Sequence, residues 1–412
     1  MFSISQDFAP PFKLIAPFFV LGAMFFVIAS FSVFFFDVKE LSFLNPKILS
    51  FVHLFLLGFV MMTIFGAMAQ LVPVVLEVGH FGVELFYAIW PLLLIGTLLM
   101  IAGFMGSSAL LPYGGVVVLI SMMIFVVEVF LTIFKIKKLN VVMTSVLVSN
   151  TFLFFGIIFG LVIALSYAGT IDVDISTLLK SHVYLVVGGY IMITIMGLSV
   201  VLIPMFGLAH DFSMRPLKIS ISMMSVGVVL VVISSFVEFK ILEYLGYFLA
   251  ITSNFVYYSL VQTLYTKRVR KEHDVYAISL IFAYMSLIVS LLLGIAYFIS
   301  GYEPLLLATG WLLFFGYFAF VITGHIYKII PFLVWYEKFA LLVGKEKVPM
   351  LADMVPLRSS KAQFIFCAIG VVVVFFAILL QNDIMIKAGA TFLCVGSLAF
   401  VKSVLFMMKF NK

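Results

Sequence analysis

The residues of this chain best suited to bind a metal or carry a proton are its six histidines, His53, His80, His182, His210, His273 and His325. Neutral imidazole is a common ligand of metals and haem iron, and its charge changes near neutral pH. His53, His182 and His325 each fall inside a long apolar run. An ionisable group there is costly, faces the bundle interior and marks a functional site by default, so these three are the candidate cofactor ligands. The other reading for each is a hydrogen-bonded core histidine. His80 and His210 follow Pro73 and Pro204 by seven and six residues, at the ends of apolar runs. They read as interfacial residues, with proton uptake or ligation as the sharper option. His273 lies in the charged run 267–274 and reads as a solvated loop residue.

Other polar side chains in apolar runs are Glu128, Gln70, Lys328, Asn150 and Asn254. They suit either a proton path or interhelical hydrogen bonds, with Lys328 snorkelling to the surface. No catalytic set emerges. The chain has no nucleophile elbow, phosphate loop, His-Glu-x-x-His or pair of carboxylates within helical reach. Gly114-Gly115 and Gly188-Gly189 are too brief for phosphate binding, and Cys367 and Cys394 read as packing residues.

The elements that must hold these side chains follow from composition. The chain has 412 residues, 65% of them hydrophobic and 10% charged. Its 48 Phe and its Leu, Ile and Val form long blocks between short polar gaps. A soluble core cannot bury so much apolar surface, whereas a bilayer requires it. The fold class is an all-α polytopic membrane protein, and the lipid bilayer is its first partner. The net charge of +6 belongs to topology, and no nucleic-acid-binding stripe is present.

Apolar runs long enough to cross the bilayer predict twelve transmembrane helices, starting near residues 13, 47, 81, 109, 141, 175, 214, 240, 275, 303, 361 and 385. The runs at 47–76, 175–208 and 303–336 exceed one crossing and predict tilt or extension. The first block, 13–36, is too long for the core of a cleaved signal and is expected to stay in the protein. Most basic loop residues follow even-numbered spans: Lys135, Lys137 and Lys138; Arg215 and Lys218; Lys267, Arg268, Arg270 and Lys271; then Lys338, Lys345, Lys347, Arg358 and Lys361. Loops after odd-numbered spans hold Lys39, Lys47, Lys180, Lys240 and Lys387. The positive-inside rule then puts both termini in the cytoplasm, in a membrane of the bacterial inner type.

Spans 2, 6 and 10 share a pattern. Gly58, Gly66 and Pro73 match Gly189, Gly197 and Pro204, and then Gly316, Gly324 and Pro331, with the same spacings of eight and seven. This predicts one transmembrane domain, 1–412, built of three four-helix pseudo-repeats at roughly 10–138, 139–268 and 269–410. The glycines permit close helix approach, and each proline is expected to bend or end its helix. In the gap-free register His53 aligns with Tyr184 and Trp311, so His182 is two residues out of step. That is about 200° of rotation and about 3 Å of rise on an ideal helix. Both histidines could face one haem only through a local bulge or a register shift.

Twelve spans in three pseudo-repeats, cytoplasmic termini and His53 and His325 on spans 2 and 10 resemble subunit I of the haem–copper oxidases. The run from His53-Leu-Phe-Leu-Leu-Gly58 through Gly66-Ala-Met-Ala-Gln70-Leu-Val-Pro73 carries the local likeness. It is similar to divergent relatives of that subunit, and more distantly to the NnrS haem proteins associated with nitric oxide. The resemblance implies a b-type haem with iron held through His53 and His325, and a cytochrome, quinol or other respiratory subunit as partner. Span 10 has one histidine in Gly324-His325-Ile326-Tyr327 where that family has a His-x-His pair. Span 6 has His182 without a Tyr four residues on, and span 7, 214–237, has no histidine. At least two of the three copper ligands that the resemblance implies are therefore missing, no copper is expected, and the chain is not expected to be a conventional terminal oxidase. Electron transfer or the handling of nitric oxide or oxygen is the leading expectation. A secondary transporter, which also uses internal repeats, and a partner subunit without cofactors are the competing ones.

Overall fold

The computed structural model describes residues 10–136, 138–237 and 239–411; Lys137, one of the basic loop residues, lies outside them. Among these residues eleven helices are long and apolar enough to cross a membrane. They are α1 (Phe12–Phe35), α2 (Pro46–Val75), α3 (Val83–Phe104), α4 (Ser108–Ile133), α5 (Val141–Tyr167), α6 (Ile175–Gly207), α7 (Arg215–Val237), α9 (Val275–Ser300), α10 (Glu303–Leu342), α11 (Leu357–Leu380) and α12 (Asp383–Met408). The remaining expected crossing, from residue 240, is the 28-residue helix α8 (Lys240–Lys267). Ser253, Asn254, Ser259, Gln262 and Thr263 dilute its apolar character. Helix starts follow the sequence expectation closely; the largest difference is at α11, residue 361 against Leu357.

By internal contacts the chain divides into two compact units, one formed by Ala69–Lys271 and the other by Pro11–Met68 with Glu272–Lys412. The division falls inside α2, so the units do not coincide with the expected four-helix repeats.

Helices α2, α6 and α10 are 30, 33 and 40 residues long. At 1.5 Å per residue they measure about 45–60 Å against about 30 Å of hydrocarbon. Each contains a π-helical segment, Leu54–Met61, Tyr184–Met192 and Leu312–Phe318 respectively. Each segment includes the first glycine of the Gly-Gly-Pro pattern. Such widened turns cost hydrogen-bond geometry and concentrate at functional sites.

The pattern glycines seat on the preceding helix in the same way each time. Gly58 and Gly66 face Phe25 and Phe18 of α1; Gly189 and Gly197 face Phe152 and Ser145 of α5; Gly316 and Gly324 face Ser286 and Ser279 of α9. The partner positions are seven residues apart in all three helices. A methyl group added at Gly66, Gly189 or Gly316 would come within 2.6 Å of its partner side chain, so only glycine lets these backbones approach so closely.

The prolines act differently from one another. Four residues after Pro73 and Pro204, Glu77 and Leu208 adopt left-handed backbone, with φ of 53° and 54°. Val78 N–H then donates to the Pro73 carbonyl and Ala209 N–H to the Pro204 carbonyl, both at 3.2 Å, which closes α2 and α6 with the same reversal. Pro331 neither ends α10 nor prevents it from continuing to Leu342. Past it, the Trp335 indole donates to the Pro349 carbonyl at 2.8 Å, tying the extension to the loop that follows.

Candidate functional site

His325 lies in α10, buried at 6% exposure. Its Nδ1 is 2.7 Å from the Val321 carbonyl oxygen, one turn back. A carbonyl can only accept, so Nδ1 carries the hydrogen, and a neutral ring has its lone pair on Nε2. That Nε2 is buried and has no hydrogen-bond partner. The Tyr276 ring of α9 packs edge-on against the imidazole, 5.2 Å between centroids. The hydroxyls of Ser279 and Thr323, on the same α9–α10 seam, are likewise buried without partners. Each such orphan costs about 1–3 kcal/mol unless something else satisfies it.

In the same unit, His53 stands at the end of the first α-helical stretch of α2, directly before the π-helical segment. Its Nδ1 is 2.8 Å from the Leu49 carbonyl, again one turn back. Beyond it, stacked rings join the two π segments of this unit: Phe55 lies 4.7 Å from Phe315 and 6.0 Å from Phe314. Trp311, the register partner of His53, stacks on Phe315 and donates its indole N–H to the Val371 carbonyl at 2.9 Å.

In the unit Ala69–Lys271, His182 precedes the second π segment by two residues. Its Nδ1 is 2.8 Å from the Gly156 carbonyl of α5. The ring lies against Gly160, where a methyl group would come within 2.7 Å of Cε1. All three candidate ligands therefore anchor Nδ1 on a backbone carbonyl. That arrangement fixes the tautomer and directs Nε2 outward, as in histidines that ligate metals. His53 and His325 use their own helix, whereas His182 uses its neighbour. Among the described residues no three His, Cys, Asp or Glu side chains are grouped to hold a metal ion. The chemistry to be tested thus rests on individual imidazoles.

The proton-path candidates separate. Lys328 forms an ion pair with Asp274 at 2.6 Å, both partly exposed; Asp274 also caps α9 by accepting from the Ala277 N–H at 2.9 Å. Lysine here reaches outward, as its long apolar stem permits. Gln70 is buried in α2. Glu128 is wholly buried in α4, and it is joined by His80, whose place at the end of an apolar run predicts an interfacial residue. His80 Nδ1 is 2.8 Å from Glu128 Oε1, with both side chains buried. The same oxygen accepts from the Phe81 N–H at 3.1 Å and the Thr132 hydroxyl at 2.8 Å. His80 Nε2 is 2.6 Å from the Ala69 carbonyl.

Pro73 explains the last contact. In an α-helix the N–H of residue 73 would bond the carbonyl of residue 69; proline has no N–H, which leaves that acceptor open. The imidazole fills it. The available signals were a histidine seven residues after a helical proline and, separately, a glutamate inside an apolar run. Without the fold, nothing linked residue 80 to residue 128, and Thr132 carried no signal.

One titratable group outside the spans has a clear shift. Asp174 caps α6, and hydrogen bonds from the Thr177 and Ser176 hydroxyls and the Ser176 N–H hold its carboxyl below the ordinary carboxylate range. A carboxyl depressed by folding stabilises the folded state above its unfolded pKa, and that contribution is lost as pH falls through the folded value. The protection of the Ser176 and Thr177 amides against hydrogen exchange, taken relative to their intrinsic rates at each pH, is expected to fall in acid, below the ordinary carboxylate range. In Asp174→Ala the same amides are expected to exchange rapidly at neutral pH as well. Equal protection in both proteins at both pH values would refute the cap.

The helices and their apolar surfaces define an all-α polytopic integral membrane protein, in contact with lipid along its spans. No family model matches the chain, and no curated protein matches it.

Proposed function

We propose that this is a haem-binding integral membrane protein of the oxidase-subunit-I type, serving electron transfer or the handling of nitric oxide or oxygen without a copper centre. The observation that carries the reading is the buried Nε2 of His325, oriented by the Val321 carbonyl and lacking any protein partner. Its donor chemistry fits an axial haem ligand. The anchored rings of His53 and His182 supply the same chemistry at two further positions. When bound, haem supplies an iron that changes oxidation state or, with one position open, binds a diatomic gas.

The chain's part is to hold the donor still and keep it dry. The carbonyl of Val321 removes the Nδ1–H tautomeric choice, the edge of Tyr276 restrains ring rotation, and the apolar wall of α10 excludes water. A cytochrome or quinol would be the electron partner, and both termini would lie in the cytoplasm of a bacterial inner membrane.

Protein purified from haem-replete cells is expected to show a Soret band that shifts on reduction with dithionite. His325→Ala is expected to lower haem occupancy at least about tenfold, by the measure of losing a metal ligand or its orienting partner. His53→Ala should shift the spectrum or lower occupancy in its turn. A colourless, iron-free preparation would overturn the haem reading and leave transport or a structural role. Binding of carbon monoxide then separates an open iron position from a closed one.

A further inference from the structure

We propose that His80, Glu128 and Thr132 form a proton-binding site, independent of any haem, in the unit Ala69–Lys271. The argument begins from hydrogen-bond direction. His80 Nε2 faces the Ala69 carbonyl at 2.6 Å, so it must donate. Glu128 Oε1 accepts from the Phe81 N–H and the Thr132 hydroxyl, the pattern of an oxygen that carries no hydrogen of its own, so any proton on this carboxyl belongs on Oε2. The third group on that oxygen, His80 Nδ1 at 2.8 Å, is then a donor as well. Both ring nitrogens then carry hydrogen, and with Oε2 unprotonated the pair is imidazolium and carboxylate with no net charge.

The second carboxylate oxygen, Oε2, is buried and has no hydrogen-bond partner. Oε1 carries three contacts and Oε2 none, so Oε2 is the oxygen whose lone pairs no protein donor holds. A proton delivered to Oε2 converts Glu128 to the neutral acid and takes the pair from zero to one positive charge; its departure restores the carboxylate. No bond other than O–H forms or breaks.

The surroundings suit exchange with solvent. His80 lies between α2 and α3 on a short loop, and the exposed Lys135 donates to the carbonyls of Gly79 and His80 at 3.2 and 3.1 Å. The neighbouring elements also carry Glu77, at the left-handed end of α2, and Glu84, at the start of α3. Lys135 engages the backbone and not the ring. The Phe86 ring covers the imidazole at 4.8 Å between centroids. The site thus lies beside the end of the bundle that holds Lys135.

The test uses the full chain in lipid nanodiscs with ring-15N histidine. Both nitrogens of His80 are expected to be protonated near neutral pH, and Glu128→Gln should convert the ring to the neutral Nε2–H form. A His80 that is neutral in the unsubstituted protein would overturn the proposal. Infrared difference spectra between about pH 9 and about pH 4, which span the ordinary imidazole and carboxylate ranges, supply the second reading. A protonated-carboxyl band, sensitive to deuterium and reversible, should emerge and be missing in Glu128→Gln. Its absence from the unsubstituted protein, or its persistence in Glu128→Gln, would show a static ion pair only. If Glu128→Gln does not fold, Thr132→Val keeps both charged partners and should shift the band frequency; an unmoved band would overturn the assignment.

Discussion

His80→Ala lowers the unfolding free energy by about 3–5 kcal/mol in the expected result, the loss typical when one member of a buried ion pair is removed. The magnitude follows from burial: the side chains of His80 and Glu128 are 2% and 0% exposed. A surface pair would contribute less than about 1 kcal/mol. Alanine at position 80 leaves the carboxylate with only Phe81 N–H and Thr132 as donors, and reopens the Ala69 carbonyl that Pro73 cannot satisfy. Glu128→Ala should be costly for the complementary reason. Replacing both residues together by leucine should recover much of either loss, because an apolar pair removes the desolvation of both charges at once. Denaturant unfolding of the detergent-solubilised protein measures all three. Single-variant losses below about 1 kcal/mol would mean that water reaches the pair.

The second large effect concerns the glycine seats. Gly189→Leu introduces four carbons where Phe152 already stands 2.6 Å from the first of them. Overpacking of this kind costs about 1–3 kcal/mol, or more where backbone must move. Gly66→Leu should behave alike, because Phe18 lies equally close. Gly324→Ala should be milder, its partner Ser279 standing at 3.0 Å. Gly310→Ala is the control, since its nearest neighbour is 4.0 Å away. Size rescue makes the test specific: Phe152→Ala in the Gly189→Leu background should restore stability, whereas Phe18→Ala should not. Thermal unfolding midpoints decide it, and a Gly189→Leu protein as stable as the Gly310→Ala control would remove the close-contact argument.

Much of the architecture was readable without coordinates because membrane insertion is a local, one-dimensional constraint. A helix must satisfy its own backbone in lipid and must be apolar over about 20 residues, so the positions of α1–α7 and α9–α12 follow from composition alone. The Gly-Gly-Pro spacing also foretold that α2, α6 and α10 would be packed in a like manner. The pattern contained less about the prolines: Pro73 and Pro204 are followed by helix-ending reversals, while Pro331 lies within a helix that runs on to Leu342. Local sequence cannot decide this, since a proline-containing helix continues where tertiary contacts hold its next turns.

The histidines show the same boundary more sharply. Their types and their placement in apolar runs singled out His53, His182 and His325 from sequence, because an imidazole in hydrocarbon needs a reason. Which nitrogen each presents was decided by the fold, through carbonyls at Leu49, Gly156 and Val321. Two of these are one helical turn away, and the third belongs to another helix. His80 and Glu128 are each visible in the sequence, as an interfacial residue and a proton-path candidate, but 48 positions separate them and no local pattern joins them. Hydrogen bonding and desolvation act across space rather than along the chain, so only the packing of α4 beside the open carbonyl of α2 made them one buried pair.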